Sequence, residues 1–342
     1  MKFYAGLDIS QSETAICVVD ETGQIVREQK VETEPELLLS ALRAHNVSFE
    51  RVGLEACPLS EWLFAELTAA GLPAICAEVR RLRATLAGLI NKTDKNDARG
   101  IAQVMRTGWF KAVHVKSRTS QELRFLLAAR KSTLDRVQDA ENELRGALKT
   151  FGLKVGSTTR RTFAARIREL VADLHILTTI VEPLLAVRAV LIEQHNRLHK
   201  LVLEQVREDT VCRRLMTVPG VGPVVALSFK TAIDAPARFA RSRSVGAYLG
   251  LTPRRYQSGE IDRTGRISKI GDRAVRTALF EAASVLLTRT TRWSKLKAWA
   301  VRLAQRSGAK TAKVALARKL AVILHRIWID GTDFQWQTAE NK

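Results

Sequence analysis

The chain has little that would point to a redox, secreted or membrane protein. Its four cysteines, Cys17, Cys57, Cys76 and Cys212, are scattered through 342 residues with no CxxC pair. That spacing argues against a disulfide framework or a thiolate metal site and for reduced packing residues in a cytoplasmic protein. Histidine is scarce too. His195 and His199 stand four apart, the spacing of a zinc-binding helix face, but no third ligand in matching context accompanies them and Glu193 falls on another face. They are expected on a solvated helix or facing RNA. No apolar run is expected to approach the ~18 residues of a membrane span. The N-terminus runs directly into a strand-like pattern instead of a charged-then-apolar signal segment.

Acid is the most telling shortage. The chain carries 55 Lys and Arg against 35 Asp and Glu, a net charge of +20 with an isoelectric point near 10.3. Such an excess implies polyanionic partners. It is uneven: residues 241–342 hold 21 Lys and Arg against seven Asp and Glu, so most of the surplus lies in the last 102 residues. A length of 342 residues exceeds the usual size of a single core, so two domains and a connector are expected.

The few acids that are present are placed unusually. KFYAGLDIS alternates and then runs apolar into Asp8; ETAICVVD follows after a short polar turn, and QIVREQKVE completes a strand meander. A helix with a 3.6-residue period is predicted around PELLLSALRAH, then a short buried strand, RVGLEA, that ends in Glu55. In KTDKNDARGIAQVMRTG, Asp94 and Asp97 are three apart at a helix start and share one face. A carboxylate at the end of an apolar strand is costly unless it is paired or bound to metal. Each acid alone suits a turn or a cap. The conjunction suits phosphoryl transfer, in which carboxylates hold one or two Mg²⁺ ions that stabilise attacking and leaving oxygens together.

Residues 117–208 read as mostly helical, with apolar residues three and four apart and a polar break at GSTTRR, hence a helical hairpin or coiled-coil-like arm. Residues 209–342 form the basic domain. It opens with two apolar helices joined by Pro219-Gly220-Val221-Gly222-Pro223, which looks like a helix-hairpin-helix whose Gly220 and Gly222 let the turn approach a phosphate. A short helix ending at Gly250 leads into RRYQSGEIDRTGRISKIGD, predicted as an exposed loop. Arg254, Arg255, Arg263, Arg266, Lys269, Arg273 and Arg276 crowd this segment as phosphate-binding candidates. Ser258 sits among them beside Gly259. A serine is a weak nucleophile without a base, cation or metal nearby, and the segment offers no obvious base. Ser242, Ser244 and Ser268 compete with it, so the residues alone leave the choice open. Downstream, Trp293, Trp299 and Trp328 are expected to pack in the core.

The order of strands and helix, with acids at the first strand, the fourth strand and a later helix, resembles the ribonuclease H-like fold of RuvC-type nucleases. More narrowly, LDIS, LEA and NKTDKNDAR resemble the DEDD transposases of the insertion-sequence family "one-ten", relatives of the Piv invertases. TPRRYQSGEIDRTGRISKIGDRAVRTALFEAA resembles the second, transposase-type domain of that family. The resemblance spans Asp8 to about Lys319. One departure is Cys57-Pro58 after Glu55, where a small polar pair is expected; it touches the local loop and not Glu55.

The resemblance implies a RuvC-like catalytic domain over 1–116, the arm over 117–208 and a helical transposase domain over 209–342. It implies that Asp8, Glu55, Asp94 and Asp97 bind Mg²⁺, in two sites at most, and that Ser258 forms a covalent phosphoserine link to DNA, working with the acids of a partner subunit. It further implies donor and target DNA, an element-encoded bridge RNA, a dimer of dimers and a nucleoid location in a bacterial cytoplasm. Two other classes stay open: a Holliday-junction-type endonuclease, in which Ser258 is dispensable, and a non-catalytic RNA- or DNA-binding protein.

Overall fold

The computed structural model describes residues 1–44, 46–80, 82 and 93–336. Two compact units result, Met1–Lys116 and Ser117–Lys342. In the first, β1 (Phe3–Ile9), β2 (Glu13–Asp20) and β3 (Ile25–Glu32) form an antiparallel meander, and α1 (Pro35–Arg43) leads to β4 (Phe49–Glu55), which pairs in parallel with β1. α2 (Ser60–Ala69) leads to β5 (Ala74–Ala77), parallel to β4, and α3 (Asp94–Thr107) closes the unit. The sheet order is β3-β2-β1-β4-β5.

Side chains alternate across a strand, so each strand feeds two cores. Ala5, Leu7, Ile16, Val18, Val52 and Leu54 face α1 and α2 through Leu38, Leu42, Leu63 and Leu67. Tyr4, Ala15, Cys17, Val19 and Ala77 face α3 through Ala98, Ile101, Ala102 and Met105. α3 begins where Thr93 caps it, accepting from the Asn96 amide, and ends at Gly108 in the left-handed region. Asn91 and Lys92 of the NKTDKNDAR run lie outside the described residues.

The second unit is helical apart from one β-hairpin. α4 (Arg118–Lys149) and α6 (His175–Glu208) pair along their length, with α5 (Phe163–Val171) between them in the chain. At one end of this arm Leu144, Leu148, Phe163, Ile167, Val181 and Leu185 form a separate small core. At the other, Leu123, Leu126, Val202 and Val206 join the main core of α7 (Thr210–Leu215), α8 (Pro223–Ile233), α9 (Arg243–Tyr248), α10 (Arg273–Thr288), α11 (Lys295–Ser307) and α12 (Ala309–Asp330). The arm and the basic segment, expected as separate pieces, therefore share one compact unit.

Several expectations are corrected here. α6 contains an 18-residue window of mean hydropathy 1.7, long and apolar enough to cross a membrane by length and composition alone. Its Glu182 and Arg188 are nonetheless paired with Arg168 and Glu141. His195 is buried and stacks on His199, with 6.2 Å between ring centres. Its Nδ1 lies 3.2 Å from the Arg130 carbonyl, and Arg130 donates to His199 Nδ1, so the pair is helix-packing material and not a solvated face. Burial pushes both imidazoles below their usual range. Trp293 is half exposed, beside the Lys297 ammonium, whereas Trp299 and Trp328 pack on the main core. Burial raises the Cys17 thiol to about 11 and the Cys212 thiol to about 12, which keeps both inert.

Candidate active site and nucleic-acid surface

Strand register brings the first two acids together. β1 and β4 run parallel with Gly6 opposite Gly53 and Leu7 opposite Leu54, so Asp8 and Glu55 are the next residues on adjacent strands. Both share parity with the glycines and therefore the α3 face of the sheet. The row continues sideways: Asp8 lies opposite Ala15, Ala15 opposite Lys30, and Glu55 opposite Ala77. One line across five strands thus reads Lys30, Ala15, Asp8, Glu55, Ala77.

The glycines explain how α3 comes so close. A Cβ on Gly6 would stand 2.2 Å from the Ala98 carbonyl oxygen and 2.3 Å from the Ala102 amide nitrogen; one on Gly53 would stand 2.3 Å from Met105. The helix backbone rests on β1 at Gly6, and its first turn, carrying Asp94 and Asp97, lies at the strand-end side of that contact. Asp8, Glu55 and Asp97 are half-buried and Asp94 is exposed.

Charged pairs hold the helix start against β3. Lys30 Nζ donates to Asp94 Oδ2 at 2.7 Å. Glu28, two residues earlier on the same strand face, takes Lys95 at 3.0 Å and accepts from Nε and Nη2 of Arg99. The hydrogen bond to Asp94 chiefly, with the charges of Asp94, Glu13 and Asp8, raises the Lys30 ammonium above its ordinary value. The Arg99 fork holds Glu28 below its own. The donor set of Asp8, Glu55, Asp94 and Asp97 is all oxygen, which suits Mg²⁺. Among the described residues no three His, Cys, Asp or Glu side chains converge as a ready ion-binding cluster. An ammonium meanwhile stands at the acids' edge, where a cation belongs. Lys30 escaped the sequence reading because its place depends on register; its parity with Glu28 was the available signal.

The expected serine loop is instead an antiparallel hairpin, β6 (Pro253–Ser258) and β7 (Ile261–Ile267). Ser258 is the last strand residue before the two-residue turn Gly259-Glu260, and Gly259 has φ +54°. A glycine first in a two-residue turn matches the twist of a hairpin. The run looked like a loop because nearly every residue of the ribbon is exposed, leaving no apolar alternation to read.

Register assigns the two ribbon faces. Ser258 pairs with Ile261 and Tyr256 with Arg263 on one; Gln257 pairs with Asp262 and Arg255 with Thr264 on the other. Arg255 is spent on Asp262 in a bidentate pair of 2.8 and 2.6 Å. Arg254 donates to the Ser268 carbonyl at 3.1 Å, and Arg276 Nη1 donates to the carbonyls of Leu249, Ile270 and Gly271. Arg263, Arg266, Lys269 and Arg273 are exposed. Lys269 itself has φ +55°, at the sharp bend where the ribbon returns to the core.

In the Pro219–Pro223 turn the two glycines differ. Gly220, at φ +85°, is packed inward: its Cβ would meet the Ala282 carbonyl oxygen at 2.4 Å, so it serves contact with α10. Gly222 caps α8 with open space beside it.

Comparison with known proteins finds two family matches along the chain. Residues 5–152 match the DEDD transposase model of the IS110 type, and residues 212–298 match the transposase model of the IS116/IS110/IS902 family. The chain is 28% identical over 331 residues to the transposase for insertion sequence element IS1111A of Coxiella burnetii, covering 93% of this chain and 87% of that protein. It is 31% identical over 286 residues to a probable family 20 transposase of Pseudomonas aeruginosa, covering 80% and 82%. A shorter match, 30% over 117 residues and about a third of each chain, is to the pilin gene-inverting protein of Moraxella bovis. Matched in both units and along most of the length of the first two relatives, the chain belongs to the IS116/IS110/IS902 family of transposases, whose substrate is DNA.

Proposed function

We propose that this transposase cuts and rejoins DNA through Ser258, acting with a Mg²⁺-binding centre of Asp8, Glu55, Asp94 and Asp97. The observation that carries the reading is the row across the sheet: two strand-end carboxylates in adjacent register, on the face where α3 delivers two more. The sheet order, with an antiparallel meander extended in parallel through β4 and β5, supports a ribonuclease H-like, RuvC-type unit. Bound Mg²⁺ would supply charge stabilisation for the oxygens that enter and leave phosphorus.

The chain's own residues do the rest. Ser258, at the tip of an exposed ribbon, reaches the backbone without moving the core. Its Oγ forms a bond to phosphorus as the bond from phosphorus to the departing strand's oxygen breaks; the hydroxyl proton passes to the medium and the departing oxygen takes one up. A hydroxyl of the incoming strand then displaces Ser258 by the reverse step, so bond energy is conserved. Arg263, across from Tyr256 on the serine's face, is the fork that meets the scissile phosphate. Arg266, Lys269 and Arg273 extend the phosphate track, with Arg254 and Arg255 flanking it, and the Gly222 turn adds helix-start amides. The basic surplus suits RNA as well as DNA, in keeping with guidance by a bridge RNA on donor and target duplexes and a dimer of dimers at the nucleoid.

The test is a denaturing gel of end-labelled DNA with Mg²⁺ and the element's noncoding RNA. Wild type should leave protein covalently attached to a DNA end, and Ser258→Ala should not. An adduct that persists in the variant moves the assignment to another serine. Nicked DNA with no adduct in either favours a metal-dependent endonuclease.

A further inference from the structure

We propose that Lys30 is a further residue of the carboxylate centre, a resident ammonium that competes with the divalent cation for Asp94 and its neighbours. Three observations carry this. Lys30 closes the register row that contains Asp8 and Glu55, on the same sheet face. Its Nζ sits 2.7 Å from Asp94 Oδ2. Its side chain and that of Asp94 are each about half exposed, 47% and 58%, so the contact can open to solvent without unpacking the sheet.

The chemistry requires something of this kind. Several carboxylates on one face repel one another, which raises the cost of keeping them all ionised. A lysine ammonium on a flexible four-carbon stem relieves that repulsion and can swing away. A divalent cation would bring twice the charge, and to be held by Asp94 it would have to displace the ammonium from the pair. Glu28 pairs with Lys95 and Arg99, and core contacts seat α3 on the sheet, so α3 keeps these ties when Lys30 is replaced. Lys30 is therefore not needed to pin the helix, which separates its role from a merely structural one.

The inference rests on the metal reading given above, and the experiment keeps the two apart. Mn²⁺ binding to the full chain is measured by electron paramagnetic resonance, which counts free Mn²⁺ and needs no turnover. Wild type, Lys30→Met, Lys30→Arg and Asp8→Asn are compared, with thermal melts in chelator to show that each is folded. With the competing ammonium gone, Lys30→Met should bind Mn²⁺ up to about fivefold more tightly. Lys30→Arg, which keeps the charge, should stay near wild type, and Asp8→Asn should bind weakly. Unchanged or weaker affinity in Lys30→Met, with Asp8→Asn still impaired, overturns the role of Lys30 and leaves the metal centre standing. Equal tightening in Lys30→Arg overturns it as well, because charge would not be the cause. No Mn²⁺ binding by wild type removes both readings.

Discussion

Replacing Gly6 by alanine tests the geometry on which the acidic face depends. The added methyl would lie 2.2 Å from the Ala98 carbonyl oxygen and 2.3 Å from the Ala102 nitrogen, both backbone atoms of α3. Ordinary contact begins at about 3.5 Å, so the helix must retreat by more than about 1 Å. No flexible side chain can absorb this. The retreat would open the core of Tyr4, Cys17, Ile101 and Met105 and carry Asp94 and Asp97 away from Asp8 and Glu55. Overpacking of this sort costs about 1–3 kcal/mol. Urea unfolding should show that loss, and strand cleavage should fall further than stability alone explains. Gly146→Ala is the control: Gly146 lies inside α4 with nothing within 4 Å of a new Cβ, and a helix-interior alanine there should stabilise by about 0.5–1 kcal/mol. A Gly6→Ala variant within about 0.5 kcal/mol of wild type, cleaving normally, would refute the close seating of α3 on β1.

Asp8→Asn should abolish cleavage in Mg²⁺ while RNA binding, followed by gel shift, stays near wild type; full recombination by that variant would sink the metal centre. Arg263→Ala should slow adduct formation about tenfold or more, whereas Arg255→Ala, which removes an arginine already neutralised by Asp262, should cost less; the reverse ranking would reverse the ribbon faces. Nucleic-acid affinity should drop roughly a thousandfold between about 50 and 200 mM salt if six phosphates are neutralised, and fluorescence anisotropy with a nearly flat salt response would count against a phosphate track. Asp272 caps α10 through the Val275 amide and pairs with Arg124 at 2.6 Å. Burial opposes its charge, but Arg124 and the amides of Val275 and Ala274 hold its carboxyl below the usual range. The stability it contributes is therefore present above the unfolded pKa of about 3.9 and lost as pH falls through the folded value; Asp272→Ala should cost about 2 kcal/mol at neutral pH and flatten the acid limb of a pH–stability curve.

Four of the five strands were legible because each carries its own alternation or apolar run and each turn its own polar break; β5, four residues long, is too short to show a period. Asp8 and Glu55 could be placed at strand ends from those runs, and Asp94 with Asp97 from helix spacing. What alternation does not carry is register. Lys30 joins the acids only because Ala15 lies opposite both it and Asp8, a fact of pairing across three strands. The Ser258 ribbon was illegible for a different reason: with both faces in solvent, its few apolar residues, Tyr256, Ile261 and Ile267, make no alternating run, and Gly259 read as loop punctuation instead of a turn between strands. His195 was misplaced because a histidine four residues from another looks the same in sequence whether the helix faces water or a second helix such as α4.

The two elements proposed to react are built on opposite physical terms. The carboxylates sit on strand ends and a helix start held by core contacts and by the Glu28 pairs, so their spacing is fixed by the fold. Ser258 lies on a two-stranded ribbon, an element only marginally stable by itself in water. Its root, by contrast, is locked. A Cβ at Gly250 would stand 1.9 Å from the Ile270 carbonyl oxygen, one at Gly271 would stand 2.2 Å from that of Tyr248, and Arg276 gathers three carbonyls of the same bend. A fixed root with an unsupported tip aims the serine in one direction while leaving its final position to the duplex it meets. On the proposed function, cleavage would depend on DNA that orders the ribbon, and Ser258, which has no hydrogen-bonded base among the described residues, would be kept from reacting where no duplex is held.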